Sequence, residues 1–144
     1  MSEPGYTAPD LDLVGEKHIR RYRETGGEVG YVWNGVPTLL LTTTGRKTGQ
    51  RRTSALIFGT DGQDHLVVAS MGGAPKHPQW YLNLTADPSA TIQVRDRVVA
   101  VTARTAEGAQ RERLWKIMTA VWPNYDVYQT RTDRRIPLVV LSPS

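Results

Sequence analysis

The sequence contains no cysteine. A disulfide scaffold, a metal site with thiolate ligands and a cysteine nucleophile are therefore excluded. Long apolar runs are also missing, and none approaches the roughly 20 residues that a membrane-spanning helix needs. Residues 1–12 are polar and hold no apolar core of a signal peptide. Together these absences predict a cytoplasmic protein and agree with a reducing compartment.

Familiar catalytic and metal-binding motifs are missing as well. The three histidines, His18, His65 and His77, do not have the spacing of metal ligands. The sequence has no Gly-x-Ser-x-Gly motif, no Walker spacing and no convincing pair of close carboxylates. We predict no metal site, and we expect an enzyme with this sequence to take its chemistry from an organic cofactor.

A surplus of positive charge is present instead. The 144 residues are enough for one domain, and the formal net charge is +4. Such a surface attracts nucleic acid, an anionic membrane face or an anionic small molecule. The uneven distribution of the cations favours specific anion sites. For any single cluster, a solvated face is the commoner explanation. The clusters are Lys17 to Arg23, Arg46 to Arg52, and Arg131 with Arg134 and Arg135.

Hydrophobic periodicity predicts a mainly β fold of the α+β class with short flanking helices. Residues 1–25 form an N-terminal arm, with a short basic amphipathic helix over 13–25 that lies on the body or touches a membrane surface. Residues 26–144 form a single domain of about six antiparallel strands in a closed or nearly closed barrel. Strands are predicted at 37–44, 53–59, 65–70, 91–94, 98–104 and 136–141, and helices at 78–84 and 106–122. Asp61-Gly62 predicts a hairpin, and Pro137 suggests that the last strand starts at an edge.

The basic turn is the strongest local signal. After the apolar run 38–41, the sequence from Thr42 to Arg52 places four cations, two glycines and several hydroxyls within one turn. Free backbone N–H groups and fixed positive charge suit a phosphate or a chain of carboxylates. A soluble basic hairpin turn remains the alternative explanation for this segment.

Two more segments are candidates for binding a cofactor. The sequence from Val68 to Gly73 places small residues at a strand end, where backbone can approach a ligand or simply turn. The segment from Lys76 to Leu84 carries Trp80 and Tyr81, of which at least one is expected to pack the helix onto the barrel.

An aromatic face follows near the C-terminus. Trp122, Tyr125 and Tyr128 are three residues apart and share one face of a helical turn. This face lines a pocket for a flat apolar ligand or forms part of the core.

The ordered set of segments resembles the deazaflavin-dependent nitroreductase family, actinobacterial enzymes of the flavin/deazaflavin oxidoreductase superfamily that use reduced coenzyme F-420. The resemblance runs from about residue 36 to the C-terminus and rests on the basic turn, the segments around Ser70 and Trp80, the segment from Pro123 to Gln129 and the strand from Ile136. It implies a split β-barrel and a coenzyme whose anionic tail lies at the basic turn and whose deazaflavin ring lies along residues 54–57.

The resemblance also implies a set of site residues. Ser70, Tyr125 and Tyr128 are implied to position the acceptor or supply a proton. The residues implied to bind the coenzyme are Arg46, Lys47, Thr48, Arg52, Thr53, Ser54, Ala55, Leu56, Ile57, Val68, Ala69, Ser70, Met71, Gln79, Trp80, Tyr81, Leu82, Asn83 and Tyr125. A family member with nitroreductase activity has tyrosine where this chain has Trp122, so reduction of nitroimidazoles is not expected to carry over.

The predicted function is hydride transfer from reduced coenzyme F-420 to an activated double bond, a quinone or a nitro compound. The alternatives are an oxidoreductase that binds FMN in the same barrel and a coenzyme carrier without turnover. The expected partner is a small-molecule electron acceptor, for a monomer or homodimer with at most weak contact to the inner membrane face. Nucleic acid is not expected, because the aromatic residues lie mainly in helical segments and not on an exposed basic strand.

Overall fold

A computed structural model of the chain describes residues 4–144, so the first three residues of the predicted N-terminal arm lie outside the described part. Eight strands and four helices are described, with a short 3-10 turn at Met71–Gly73. The helices are α1 (Gly15–Thr25), α2 (Gln79–Ala86), α3 (Gly108–Val121) and α4 (Asn124–Thr130). The strands are β1 (Val32–Trp33), β2 (Val36–Thr44), β3 (Arg51–Ile57), β4 (Gly59–Asp61), β5 (Asp64–Val68), β6 (Ser89–Val94), β7 (Arg97–Thr105) and β8 (Leu138–Pro143).

The strands form one curled antiparallel sheet. Their order is β1-β2-β6-β7-β8-β5-β4, and β3 pairs with β2 beside this path. Every described pairing is antiparallel. The prediction of an antiparallel, mainly β fold with short flanking helices is confirmed, with two short strands beyond the six expected.

The two extra strands arise where the sequence signal is short or broken. Strand β1 has only two residues, and its hairpin to β2 turns through Asn34 and Gly35, both at positive φ. The strand predicted over 53–59 is interrupted at Phe58, which lies between β3 and β4. The predicted hairpin at Asp61-Gly62 is confirmed, because Asp61 pairs with Asp64 across it.

The last strand is not at an edge. Strand β8 lies between β5 and β7 and pairs with both. Pro137 directly precedes the first paired residue, Leu138, so its missing N–H interrupts no ladder bond. Its carbonyl accepts a hydrogen bond from the N–H of Ala69 at 2.9 Å. The edge interpretation of this proline was therefore wrong.

Helix α1 lies on the body of the protein. It ends at Thr25 and is followed by Gly26, whose φ of 61° is the left-handed conformation that favours glycine at a helix end. Tyr22 on this helix is fully buried, and its hydroxyl donates to the carbonyl of Thr38 at 3.0 Å and accepts from the N–H of Arg95 at 2.8 Å. No helix within residues 4–144 combines the length and the apolar character needed to cross a membrane.

Two hydrophobic clusters stabilise the sheet. One is built from strands β2, β5, β6, β7 and β8 with helix α2 and includes the fully buried Leu39 and Leu41. The other is built from α3, α4, β5 and β8 and includes Leu114, Met118 and Leu138. The second cluster also contains the aromatic residues of 122–128, so it fixes the position of that face.

Candidate functional site

Two adjoining cavities open beside β3. The larger has a volume of about 580 Å³ and is mostly apolar, while the smaller has a volume of about 370 Å³ and is lined by the basic turn. Ser54 and Trp80 line both. The two cavities are therefore neighbours that share a wall, one of them cationic and the other aromatic.

The basic turn is shaped by its own backbone. The N–H of Gly45 donates to the carbonyl of Gln50 at 2.7 Å, and the N–H of Gly49 donates to the carbonyl of Gly45 at 2.8 Å. Gly49 has a φ of 74°, a conformation in which a larger residue is strained. These two bonds close the turn through its own backbone.

Helix α2 fixes the first cation of the turn. The backbone N–H and Nη1 of Arg46 both donate to Oδ1 of Asn83, at 3.2 and 2.9 Å, and Nη2 donates to Oε1 of Gln79 at 2.9 Å. Asn83 is buried and also donates to Oγ1 of Thr43 at 3.2 Å. The Arg46 guanidinium thus has a set position at the rim of the smaller cavity.

The remaining cations of the turn divide between two faces. Lys47 and Arg52 are exposed and line the smaller cavity, together with Thr48. Arg51 instead donates to Oγ1 of Thr44 at 3.0 Å and to Oγ1 of Thr91 at 3.3 Å. Successive side chains of a strand point to opposite faces, so Arg51 and Arg52 diverge.

Strand β3 is the wall that joins both ends of the site. Its residues Thr53–Ile57 line the larger cavity, and among the described strands it pairs with β2 alone. The second edge of β3 therefore keeps backbone donors and acceptors available for a ligand. Arg23 of α1 reaches this strand and donates from Nη2 to Oγ1 of Thr53 at 2.7 Å.

The aromatic face forms another part of the wall of the larger cavity. Trp122, Tyr125 and Tyr128 are all less than a tenth exposed, yet each lines the cavity. The Tyr125 and Tyr128 rings meet edge to face with centroids 6.1 Å apart, and Trp33 lies 5.6 Å from Trp122. These side chains belong both to the core and to the cavity wall. The interpretation of the face as a pocket wall and its interpretation as part of the core are therefore compatible.

The Tyr125 hydroxyl is a neutral donor at this wall. Burial, with a smaller effect from the neighbouring Tyr128, raises the pKa of Tyr125 far above its ordinary value. The Tyr125 side chain also borders the larger cavity. The phenol is therefore protonated and available to a ligand.

Most of the residues predicted for the site are brought together. Those that line one or both cavities are Arg46, Lys47, Thr48, Arg52, Thr53, Ser54, Ala55, Leu56, Ile57, Val68, Ser70, Met71, Gln79, Trp80, Asn83, Tyr125 and Tyr128. Three others line neither: Ala69 is fully buried, the Tyr81 hydroxyl pairs with Oγ1 of Thr105 at 2.8 Å, and Leu82 is half-buried. For all the residues of the predicted site, the roles in binding and catalysis remain predictions.

The sequence did not indicate the wall contributed by β1, by α1 and by Val14, the residue before that helix. Val14, His18 and Trp33 line the larger cavity. His18 is buried, with Nε2 2.8 Å from the carbonyl of Gly30, and the indole N–H of Trp33 donates to the carbonyl of Leu13 at 2.6 Å. The Asn34-Gly35 turn after Trp33 was the available signal, because it marks a hairpin that returns β1 to the sheet.

Comparisons with known proteins agree on one family. The family model described as F420H2-dependent quinone reductase matches residues 15–143. The chain is 44% identical over 129 residues to an F420H2-dependent quinone reductase of Mycobacterium tuberculosis strain H37Rv. The aligned residues cover 87% of this chain and 87% of that protein.

Solved structures give the same result. An F420H2-dependent reductase superposes with a TM-score of 0.69 at 43% identity and covers 74% of this chain and 94% of its own. A chain described as a domain-swapped dimer superposes with a TM-score of 0.71 at 39% identity, covering 88% and 95%. The split β-barrel implied by the sequence resemblance is confirmed by these likenesses, and so is the deazaflavin-dependent character of the family. The chain belongs to the F420H2-dependent quinone reductase family.

Proposed function

We propose that this protein is a reductase that binds reduced coenzyme F-420 across the two neighbouring cavities and reduces a quinone. The observation that carries the proposal is that Ser54 and Trp80 line both cavities, so that a cationic cavity lies directly beside an aromatic one. The coenzyme has the complementary form, with a polyanionic tail at one end and a planar ring at the other.

The residues present fit that coenzyme. Arg46, Lys47 and Arg52 would hold the phosphate and carboxylates of the tail, and guanidinium groups suit paired recognition of such oxygens. The unpaired edge of β3 offers backbone N–H and C=O groups to the polar rim of the ring. A single phosphate, as in FMN, would leave part of this cationic end unused.

When bound, the reduced coenzyme supplies a hydride to the acceptor. The protein orients the acceptor in a mostly apolar cavity that limits its contact with water. We expect Tyr125 and Tyr128 to donate hydrogen bonds to a quinone oxygen, because both side chains line the cavity and burial keeps the Tyr125 phenol protonated. Ser70 borders the same cavity and is a further donor.

Partners and location are part of the proposal. A quinone is favoured over the other acceptors because the matched family and the mycobacterial relative are described as quinone reductases. The relative that forms a domain-swapped dimer makes a homodimer the expected assembly. We place the protein in the cytoplasm.

The test combines binding and turnover. Oxidised coenzyme F-420 is titrated with protein while its fluorescence is followed, and reduced coenzyme is then oxidised by a water-soluble quinone under anaerobic conditions. Saturable binding at micromolar concentration and quinone-dependent turnover are expected. Binding without turnover would contradict the reductase, and a yellow protein with an FMN spectrum and no affinity for coenzyme F-420 would contradict the cofactor.

A further inference from the structure

The turn after β5 has an unusual backbone. Met71, Gly72 and Gly73 have φ values of 47°, 65° and 83°, so three successive residues lie in the left-handed region. This region disfavours a methionine, which has no side-chain group to stabilise it locally. Strain of this kind persists only where surrounding contacts hold it in place.

Arg134 supplies those contacts from the other end of the chain. Its Nε donates to the carbonyl of Ala74 at 2.8 Å, and its Nη1 and Nη2 donate to the carbonyls of Ala69 and Ser70 at 3.1 and 2.7 Å. The same Nη1 lies 3.1 Å from Nδ1 of His77. One guanidinium therefore bonds to the chain on both sides of the strained turn.

The role suggested by the sequence for this arginine is therefore corrected. The basic cluster at 131–135 was a candidate anion site, but the Arg134 guanidinium is engaged by three carbonyls and an imidazole. Burial lowers the pKa of Arg134, as expected for a side chain directed into the protein. Its contact with His77 requires a neutral imidazole whose Nδ1 accepts the hydrogen bond.

The turn is also fixed against helix α4. Nη1 of Arg131 donates to the carbonyl of Gly72 at 3.0 Å, and its guanidinium lies 5.3 Å from the centre of the Tyr128 ring. A Cβ on Gly73 would lie 2.5 Å from the carbonyl oxygen of Tyr128. This distance is too short for any residue other than glycine. The turn and the aromatic wall thus have a fixed relative position.

The segment held by Arg134 belongs to one end of the site. Ser70, Met71 and Gly72 line the larger cavity, and none of them lines the smaller, basic one. Movement of this segment would change the aromatic end of the site and leave the cationic end intact.

We propose that Arg134 is a positioning residue that holds Ser70 and Met71 in the wall of the acceptor end of the cavity. The proposal rests on the proposed function, since it assigns the larger cavity to the ring and the quinone. Arg134 does not itself line that cavity and acts through the turn.

The experiment compares Arg134→Gln with Arg135→Gln, the exposed neighbouring arginine that serves as the matched control. For Arg134→Gln we expect kcat/KM for the quinone to fall by about tenfold or more, because small misplacements of positioning groups have effects of this size. The Kd for oxidised coenzyme F-420 should change by less than about threefold, because the tail contributes most of the charge-assisted contacts. Arg135→Gln should change neither.

Hydrogen exchange gives a readout that is independent of activity. The N–H groups of Gly73 and Ala74 are bonded within the turn to the carbonyls of Ser70 and Met71 at 2.9 and 3.1 Å. Faster exchange at these two amides in Arg134→Gln, with unchanged exchange in β2, supports the proposal. Unchanged exchange, or equal losses in coenzyme affinity and quinone turnover, overturns it.

Arg134→Lys covers the case in which the glutamine variant does not fold. An ammonium group keeps the charge but cannot reach carbonyls on both sides of the turn at once. Partial loss of kcat/KM is expected, and full activity with protected amides would overturn the proposal. If the unaltered protein neither binds coenzyme F-420 nor reduces a quinone, the proposed function fails, while the exchange of the two amides still tests whether Arg134 holds the turn.

Discussion

The indole N–H of Trp122 donates a hydrogen bond to the hydroxyl oxygen of Tyr128 at 3.5 Å, and both side chains line the larger cavity. A hydroxyl has one proton to donate and two lone pairs to accept with. Because the indole occupies a lone pair, the phenol proton of Tyr128 remains available to a ligand in the cavity. This long contact therefore favours an orientation of the Tyr128 hydroxyl in which its proton points away from the indole.

Trp122→Phe should weaken quinone reduction while leaving the fold intact. The phenylalanine keeps an aromatic ring in the wall but has no N–H, so Tyr128 can turn its proton away from the cavity. We expect kcat/KM for the quinone to fall about three- to tenfold, as for the loss of one hydrogen bond. Trp115→Phe is the control, since its indole N–H donates to Oδ1 of Asp126 and its ring does not line the cavity. Equal effects of the two changes would contradict this role of Trp122.

The two neighbouring arginines of β3 should differ in their effect on coenzyme binding. Arg52 lines the smaller cavity, whereas Arg51 is bonded to Thr44 and Thr91 on the other face. Arg52→Gln should raise the Kd for coenzyme F-420 by about ten- to a hundredfold, the range for one lost charge-assisted hydrogen bond. Arg51→Gln should leave it within about twofold at the same ionic strength, because a distant exposed charge is screened. Fluorescence titration of both variants measures the difference, and a reversed order would contradict the assignment of the basic end.

Tyr22→Phe should destabilise the protein. The change leaves the carbonyl of Thr38 and the N–H of Arg95 without the hydroxyl that they share, in a fully buried position. The expected loss in the free energy of unfolding is about 1–3 kcal/mol. Urea denaturation measures it, with Tyr31→Phe as the control because Tyr31 is only partly buried and uses its ring to contact Arg95. A loss no larger than that of the control would show that the Tyr22 hydroxyl does not connect α1 to the sheet as described.

The free energy of unfolding should decrease as the solution is acidified. Burial lowers the pKa of His65 below its ordinary value of 6.5, and Nδ1 of His65 is buried without a hydrogen-bond partner within the described residues. The unfolded chain therefore takes up a proton at a higher pH than the folded chain does. Stability is fully present above the unfolded pKa and is lost as pH falls from about 6.5 towards the folded pKa, below which the loss levels off.

His65→Gln isolates this contribution. The variant should show a flatter dependence of the free energy of unfolding on pH between 7 and 5. His77, whose pKa is lowered by burial and by Arg134, contributes a dependence of the same sign and remains in the variant. An unchanged slope in His65→Gln would assign the effect to other groups.

The sequence predicted those parts of the site that are contiguous in the chain. The turn around Arg46, the turn after β5 and the aromatic face each carry their signal in a few neighbouring residues, and their order along the chain identified the family. The antiparallel sheet that the sequence also predicted brings these three segments together beside β3.

What the sequence could not predict depends on orientation and on long-range contacts. Trp80 lines both cavities while its neighbour Tyr81 lines neither, because the rotation of α2 is set by what packs against it. Arg134 contacts residues 57 to 65 positions earlier, and nothing in its local sequence indicates those partners. Strand β1, with only two residues, is too short to show the alternation that marks a strand.

The position of β8 between β5 and β7 has a consequence for synthesis on the ribosome. Both neighbours are made before β8, so their inner edges have no partner until Leu138 and the residues after it have left the exit tunnel. Unpaired edges are the surfaces through which incomplete chains associate wrongly. A chain that lacks β8 therefore exposes two such edges, and we expect it to aggregate more readily than the chain that contains β8.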